Sequence, residues 1–112
     1  MGSKLDANKK QKKEALLNTA FDLFTTKGIH KTSISDIVNQ AGVAKGTFYL
    51  YFSDKFDIRN KLIAHEAGLI FSSAYEAMRE AKITDFEKQI IFIAEYIIDV
   101  LEHNPKLLSI IS

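Results

Sequence analysis

One stretch of the chain, residues 42–55, holds the side chains best suited to chemistry. It reads GVAKGTFYLYFSDK and places a lysine, a threonine and a tyrosine within five residues. All three side chains donate hydrogen bonds, and Thr47 and Tyr49 also accept them. Presented on one outward surface, such groups can bond the base edges in a DNA groove, and Leu50 can add an apolar contact.

Two short helices are needed to position this stretch. The first is predicted to start at the N-cap residue Ser33, with Asp36 three residues later at capping-box spacing. Gly42 can adopt the left-handed backbone conformation that a tight turn requires. The second helix is predicted over residues 44–51. Two short helices across a glycine turn indicate a helix-turn-helix, whose second helix enters the major groove. The first helix has an apolar stripe at helical spacing, formed by Ile34, Ile37, Val38 and Ala41.

The second helix is predicted to have distinct inner and outer faces. Phe48 and Phe52 are expected to point inward together with Ala44 and Val43, and to hold a helix too short to be stable alone. A tyrosine and a leucine on the outer face indicate contact with a partner. The expected outer set is Lys45, Gly46, Thr47, Tyr49 and Leu50.

Further helices are predicted on both sides of this pair. A lysine-rich segment leads into helix 1, at about residues 9–27, and its lysines either solubilise the chain or touch DNA. Helix 4 is expected after Ser53 as N-cap and runs to about residue 81, with Phe56 and Phe71 in its apolar stripe. Helix 5, at about 85–103, has an apolar face so wide that it should be covered on more than one side. Pro105 is suited to start a sixth helix.

Composition and charge narrow the function classes. The 112 residues contain no cysteine, which excludes a disulfide scaffold, a thiol nucleophile and cysteine-ligated zinc. No apolar run approaches membrane-spanning length, so we expect a cytoplasmic protein. Residues 1–61 hold 11 basic and 6 acidic side chains, whereas residues 62–112 hold 4 and 8. The basic half contains the helix-turn-helix, as phosphate contact would require.

No catalytic or metal site is predicted. Asp99 and His103 share a helix face and could be two metal ligands, but the sequence offers no third, so a solvated polar stripe is favoured. Phosphate-binding loops, nucleophile elbows and zinc-protease motifs are absent from the sequence. We therefore expect a protein that is not an enzyme and has no cofactor.

Residues 10–60 resemble the tetracycline-repressor (TetR) family of bacterial transcription regulators. The resemblance is specific because it combines "GTFYLYF" with a following lysine and with small and apolar residues upstream. Phe56 departs from the pattern, at a position that is often acidic in the family. The matching residues are Phe24, Gly28, Thr32, Ser33, Ile37, Ala41, Gly42, Val43, Gly46, Thr47, Phe48, Tyr49, Tyr51, Phe52 and Lys55.

The resemblance implies an all-α protein. It implies a basic arm over residues 1–8 and a three-helix, homeodomain-like helix-turn-helix domain over 9–55. Residues 56–112 would be a linking helix and the truncated start of a C-terminal domain that binds a small-molecule effector and dimerises. A homodimer would read a palindromic operator, most simply as a ligand-released repressor, through helices absent from this chain.

The resemblance also assigns contact residues. Lys45, Gly46, Thr47, Tyr49 and Leu50 would contact bases, and Thr32, Ser33, Tyr51 and Lys55 would contact phosphates. Lys55 is also expected at a helix start, where a cation opposes the helix dipole and a phosphate partner would compensate. The alternative is that Tyr49 and Tyr51 are partly buried core aromatics and that Lys45 is a solvated lysine.

Other functions use the same features. An activator or accessory DNA-binding factor would have the same domain. An enzyme or small-molecule carrier could line a pocket with helices 4 and 5, and a helical interaction module would need no DNA. Salt-dependent retention on DNA separates the first group from the other two.

Overall fold

The computed structural model describes residues 3–111, with side chains from residue 7 onward. This part of the chain is all-α, as predicted. Met1, Gly2 and Ser112 lie outside the described residues, so the beginning of the predicted arm is not described. The helices are α1 (Ser3–Thr26), α2 (Ile34–Ala41), α3 (Lys45–Tyr51), α4 (Lys55–Glu80), α5 (Phe86–Glu102) and α6 (Pro105–Ile111).

The chain divides within α4, after Leu62, into two compact units. In the first unit, α1 packs on α2 and α3, and α2 packs on α3. The first two turns of α4 contribute Ile58 and Leu62 to the same core. Of the predicted apolar stripe of α2, Ile37 and Val38 are buried and Ile34 and Ala41 are half-buried, and this shared burial explains why short segments fold together. The buried core residues of this unit are Leu16, Leu17, Ala20, Phe24, Ile37, Val38, Phe48, Phe52, Ile58 and Leu62.

Local signals place the helix boundaries. Ser33 caps α2 by accepting the N–H of Asp36, and the Asp36 carboxylate accepts the N–H of Ser33, which completes the predicted capping box. Gly28 and Gly42 both have positive φ, 85° and 73°, and Gly42 has it in the predicted turn before α3. Pro105 begins α6 as predicted.

Three predicted positions differ in the structure. α1 begins at Ser3 rather than near Lys9, and the added segment contains the good helix formers Lys4, Leu5 and Ala7. Ala44 is exposed rather than buried, since it is the N-cap of α3 and lies outside its inner face. Asp54 rather than Ser53 caps α4, because the Asp54 carboxylate accepts the N–H of Asp57 at 2.8 Å.

The second unit consists of the rest of α4 together with α5 and α6. Asp85 caps α5 by accepting the N–H of Lys88, and α5 packs on α6. The prediction that α5 is covered on more than one side is wrong for the described residues, since α5 has no buried residue. Phe71, which was predicted to lie inside, is 57% exposed. Large apolar side chains exposed on α5 are Phe86, Ile90, Ile91 and Ile98.

No helix within residues 3–111 is both long and apolar enough to cross a membrane.

Hydrogen bonds lower the pKa of the capping carboxylate Asp36. The Ser33 N–H contributes most, followed by the Lys27 ammonium at 3.1 Å. At α4, the Ser53 N–H and then Lys61 similarly lower the pKa of Asp57. A lowered folded-state pKa means that the folded state favours the ionised carboxylate. The resulting stabilisation is complete above the unfolded value of 3.8 and is lost as the pH falls through the folded-state pKa.

We therefore expect Asp36→Asn to flatten the acid side of the stability profile. In the parent chain the free energy of unfolding should fall as the pH drops below the unfolded pKa of 3.8, and in Asp36→Asn it should fall less. Asp57 still titrates in the variant, so some slope remains. Urea unfolding followed by circular dichroism at several pH values measures this. Asp22→Asn is the matched control, an exposed α1 carboxylate, and its profile should follow the parent's.

Candidate nucleic-acid interface

Two buried phenylalanines hold α3 in place. Phe48 is fully buried and Phe52 is 2% exposed, and their ring centroids lie 5.4 Å apart. The turn before α3 is closed by the N–H groups of Gly42 and Val43, which both donate to the Val38 carbonyl. A seven-residue helix has no stability of its own, so this anchoring decides where its outer face points.

The predicted base-contact residues share the solvent side of α3. Lys45, Gly46, Tyr49 and Leu50 are exposed, and Thr47 is half-buried. Tyr49 is 52% exposed and Leu50 is 73% exposed. The Tyr49 and Phe48 rings meet edge to face with centroids 5.4 Å apart, so the Tyr49 ring is held against the core while about half of the side chain remains exposed. Exposed apolar and phenolic groups on one short, fixed helix suit a groove-reading surface.

Gly46 leaves a gap on that surface. A Cβ added at this position would meet no atom within 4 Å, and the backbone there has no positive φ. Neither packing nor backbone conformation therefore requires glycine here, although glycine weakens a helix by about 1 kcal/mol relative to alanine. A bare helix surface next to Lys45 lets another molecule approach the backbone closely.

An open depression of about 410 Å³ lies next to this face, at the start of α2. The Lys45 ammonium reaches the Ser35 hydroxyl at 3.5 Å across it. Hydroxyls, an ammonium and the first N–H groups of a helix are the donors that hold a phosphate oxygen. The Asp54 carboxylate also lines the depression and works against an anion. The lining residues are Ser33, Ile34, Ser35, Lys45, Asp54, Lys55 and Phe56.

Of the four predicted phosphate contacts, Ser33 remains accessible. It is exposed, and its hydroxyl oxygen accepts the Asp36 N–H, which leaves the hydroxyl proton for an outside acceptor. The Thr32 side chain is 1% exposed and its hydroxyl donates to the Gly28 carbonyl at 2.7 Å, so its predicted phosphate contact stays a prediction that this geometry does not favour. Thr32 closes the loop between α1 and α2.

Lys55 and Tyr51 bind within the chain. The Lys55 ammonium donates to the carbonyls of Ile29 at 2.8 Å and Thr32 at 3.1 Å. These carbonyls compensate for a cation at the start of α4, the role that sequence reasoning gave to a phosphate. The Tyr51 hydroxyl donates to the Lys9 carbonyl at 3.2 Å. One ammonium proton of Lys55 remains for a phosphate, so its predicted contact stays a prediction.

Sequence reasoning missed two residues of this region. Ser35 lies in the first turn of α2, and its position two residues after the N-cap could have indicated it. Lys61 donates to the Tyr51 carbonyl at 3.1 Å and to the Asp57 carboxylate at 3.2 Å. The i, i+4 spacing of Lys61 and Asp57 was visible in the sequence. The link from Lys61 to the end of α3 was not, since it depends on tertiary structure.

His103 and Asp99 form a local pair at the end of α5. The His103 Nδ1 lies 2.8 Å from the Asp99 carbonyl oxygen and 3.4 Å from its carboxylate. Asp99, through its carbonyl and then its charge, raises the pKa of His103. Among the described residues, no group of three or more potential metal-ligating side chains comes together.

The sequence of this chain is similar to those of known regulatory proteins. Residues 16–62 match the sequence profile of "Bacterial regulatory proteins, tetR family". The chain is 34% identical over 88 residues to a fatty acid metabolism regulator protein of Bacillus subtilis, covering 79% of this chain and 45% of that protein. It thus spans about half the length of such relatives.

Solved structures agree with the sequence match. The fatty acid degradation regulator FadR from Bacillus halodurans superposes with a TM-score of 0.71 at 28% identity, covering 88% of this chain and 51% of that one. A protein described as a TetR-family transcriptional regulator from Syntrophomonas wolfei gives 0.74 at 35% identity, covering 90% and 51%.

The contacts of Lys55 predict a cost in stability. Lys55→Met leaves the partly buried carbonyls of Ile29 and Thr32 without this donor, and should reduce the free energy of unfolding by about 1–3 kcal/mol. Lys31→Met is the control, because this exposed lysine belongs to the same loop and is expected to change stability little. Urea unfolding of the three proteins at one pH provides the comparison. If both variants are as stable as the parent, the two hydrogen bonds do not hold the loop.

Proposed function

We propose that this chain, whose residues 16–62 match the TetR family of bacterial regulatory proteins, is a sequence-specific DNA-binding transcriptional regulator. The observation that carries the proposal is the exposed face of α3, where Lys45, Gly46, Tyr49 and Leu50 stand outward from a helix fixed by Phe48 and Phe52. A helix held in this way can enter a major groove without first being ordered, which lowers the entropic cost of binding.

In the proposed binding mode, α3 reads the bases and the start of α2 positions the protein on the phosphate backbone. Lys45 and Tyr49 donate to base edges, Thr47 accepts or donates at the rim of the face, and Leu50 packs on a thymine methyl group. Ser33 and Ser35 at the start of α2 bond one phosphate and set the register of the helix in the groove. The net charge of +5 on residues 1–61 attracts the duplex before these contacts form.

We further propose that two copies act together in the cytoplasm. A palindromic operator would place the two recognition helices about 34–36 Å apart, or a multiple of that distance. A bound effector would change this separation and release the DNA, which makes the protein a repressor. These statements rest on the family match and on the regulatory roles of the proteins that the chain resembles.

Substitution in α3 tests base reading. Tyr49→Ala and Lys45→Ala should each weaken binding to a duplex selected by the chain from a random pool by about 1–3 kcal/mol, with a smaller loss on random-sequence DNA. Both affinities are measured at one fixed salt concentration. Tyr75→Ala is matched to Tyr49→Ala, because both tyrosines are 52% exposed but Tyr75 lies in the second unit. Equal losses of affinity on both DNAs would indicate that Tyr49 and Lys45 contact the DNA backbone and not the bases.

A cavity in the second unit is the proposed effector site. It encloses about 180 Å³ between α4, α5 and α6. Apolar cavities of about 150 Å³ bind small apolar molecules such as benzene. Glu66 is the charged residue of its lining, but the surface that faces the interior is apolar throughout, so a charged head group would find no polar partner there. The lining residues are Ile63, Glu66, Ala67, Ile70, Phe71, Ile97, Leu101, Leu107, Ile110 and Ile111.

We infer that the effector is a slender apolar chain whose head is uncharged or stays outside the cavity. The name of the Bacillus subtilis relative, a fatty acid metabolism regulator, supports an apolar chain of this type. Each methylene moved from water into the cavity contributes about 0.8 kcal/mol, so affinity should increase with chain length until the cavity is full.

A cavity-filling substitution tests the site. Ala67→Phe places a ring in the lining and should abolish binding of 1-octanol, measured as chemical-shift changes of the Ile97 and Ile110 methyl groups. Ala64→Phe is the matched control on the exposed side of α4 and should bind like the parent. Octanoate should bind more weakly than octanol because the apolar interior offers no partner for its carboxylate. Unchanged octanol binding by Ala67→Phe would place the ligand elsewhere.

A further inference from the structure

The first turns of α1 carry a segregated row of lysines. Lys9, Lys10, Lys12 and Lys13 are all exposed and lie on a regular helix rather than on an irregular arm. Successive residues of an α-helix are about 100° apart around its axis, which places these four within an arc of roughly 160°. The other side of the same turns carries Ala7, Asn8, Gln11 and Glu14 and has no lysine.

The lysine row continues the buried side of α1. By the same helical geometry, Lys9, Lys12 and Lys13 lie in line with the buried residues Leu16 and Ala20. The side of α1 that faces the helix-turn-helix therefore changes from apolar to basic toward its N-terminus. A helix that needed only solubility would place such lysines on its outer side.

A tertiary hydrogen bond places these turns beside the end of α3. The Tyr51 hydroxyl at the last residue of α3 donates to the Lys9 carbonyl at 3.2 Å. Lys61 donates at 3.1 Å to the carbonyl of the same tyrosine. Tyr51 thus connects the proposed groove-reading helix to the lysine-bearing turns of α1.

Among the described side chains, no acidic group forms an ion pair with these four lysines. The ion pairs seen there involve Lys27, Lys61 and His103, and none of the four lysines. Between residues 7 and 13 the chain has no acidic residue, and Glu14 lies on the opposite side of the helix. Four exposed ammonium groups on one side of a helix are complementary to a row of phosphates, which is the occupant that their charge favours.

We infer that Lys9, Lys10, Lys12 and Lys13 form a second DNA-contacting surface, which binds backbone phosphates beside the groove that α3 reads. The inference rests on the proposed function, because it needs α3 to lie on DNA. These contacts recognise charge and not sequence, so they strengthen binding to every duplex equally. Tyr51 is then a positioning residue that fixes where the phosphate-binding turns lie relative to α3.

The test compares two variants that lose the same charge. One carries Lys9→Gln, Lys10→Gln, Lys12→Gln and Lys13→Gln; the control carries Arg79→Gln, Lys82→Gln, Lys88→Gln and Lys106→Gln. Glutamine has nearly the helix propensity of lysine, so α1 should persist, which circular dichroism verifies. Affinity for a random-sequence 30-base-pair duplex is measured against salt concentration. Each lost phosphate contact lowers the slope of log affinity against log salt by about 0.9.

Compared with the parent, the α1 variant should have a slope of log affinity against log salt that is smaller in magnitude by about two to four. In the control variant the slope should decrease by less than about one. Its preference for a selected duplex over random DNA should stay at the parent value, because base contacts are untouched. Equal slopes in the two variants would overturn the inference, since only overall charge would then matter. If the α1 variant keeps the sequence preference and also the salt slope of the parent, the second DNA-contacting surface is refuted but the proposed function is not. Failure of the parent chain to bind any duplex refutes the proposed function as well.

Discussion

Burial of Phe48 and Phe52 is the constraint on which the rest of this structure depends. The seven residues of α3 cannot hold a helix by themselves, and two phenylalanines in one core fix its position and rotation together. Every outward group of α3 inherits its direction from that packing. The capping box of α2 and the left-handed Gly42 place α2 so that its buried Ile37 and Val38 complete the same core. Loss of core packing would therefore misplace the outward side chains of α3, although no residue that could touch DNA would be changed.

How far the sequence predicted the molecule depends on the range of the interaction concerned. Ser33, Asp36 and Gly42 act within three or four residues, and their roles followed from local rules. Thr32, Lys55 and Tyr51 were assigned to phosphates, yet their main partners in the structure are carbonyls of the same chain. Lys55 reaches back 26 residues to Ile29, and Tyr51 reaches back 42 to Lys9. Such pairings appear only after the helices are packed, so residue type alone could not separate a polar group that faces outward from one that bonds its own backbone.

The second unit shows the same limit for apolar residues. Periodicity identified α5 correctly, and Asp85 at its predicted start is its N-cap. Periodicity could not tell which apolar side chains find partners. The wide face of α5 indicated cover on several sides, but Phe86, Ile90 and Ile91 are more than half exposed within the described residues. A hydrophobic pattern reports what a side chain would gain from burial, and the contacts that provide the burial come from elsewhere in the fold.

Some polar groups in the first unit contribute both to stability and to the proposed recognition of DNA. A change in DNA affinity on substituting such a group can therefore have either cause. The Lys55 ammonium holds the loop that contains Thr32, and that loop leads directly into Ser33, the cap of α2. A substitution at Lys55 would disturb the cap, the start of α2 and the depression beside Lys45 before it removed any outside contact. Gly46 is the opposite case, because its backbone requires no glycine and an added Cβ would meet nothing in the chain. An effect on DNA affinity at Gly46 would report the approach of the partner, whereas an effect at Lys55 has to be separated from folding. The most informative positions on this surface are thus those that the fold does not need.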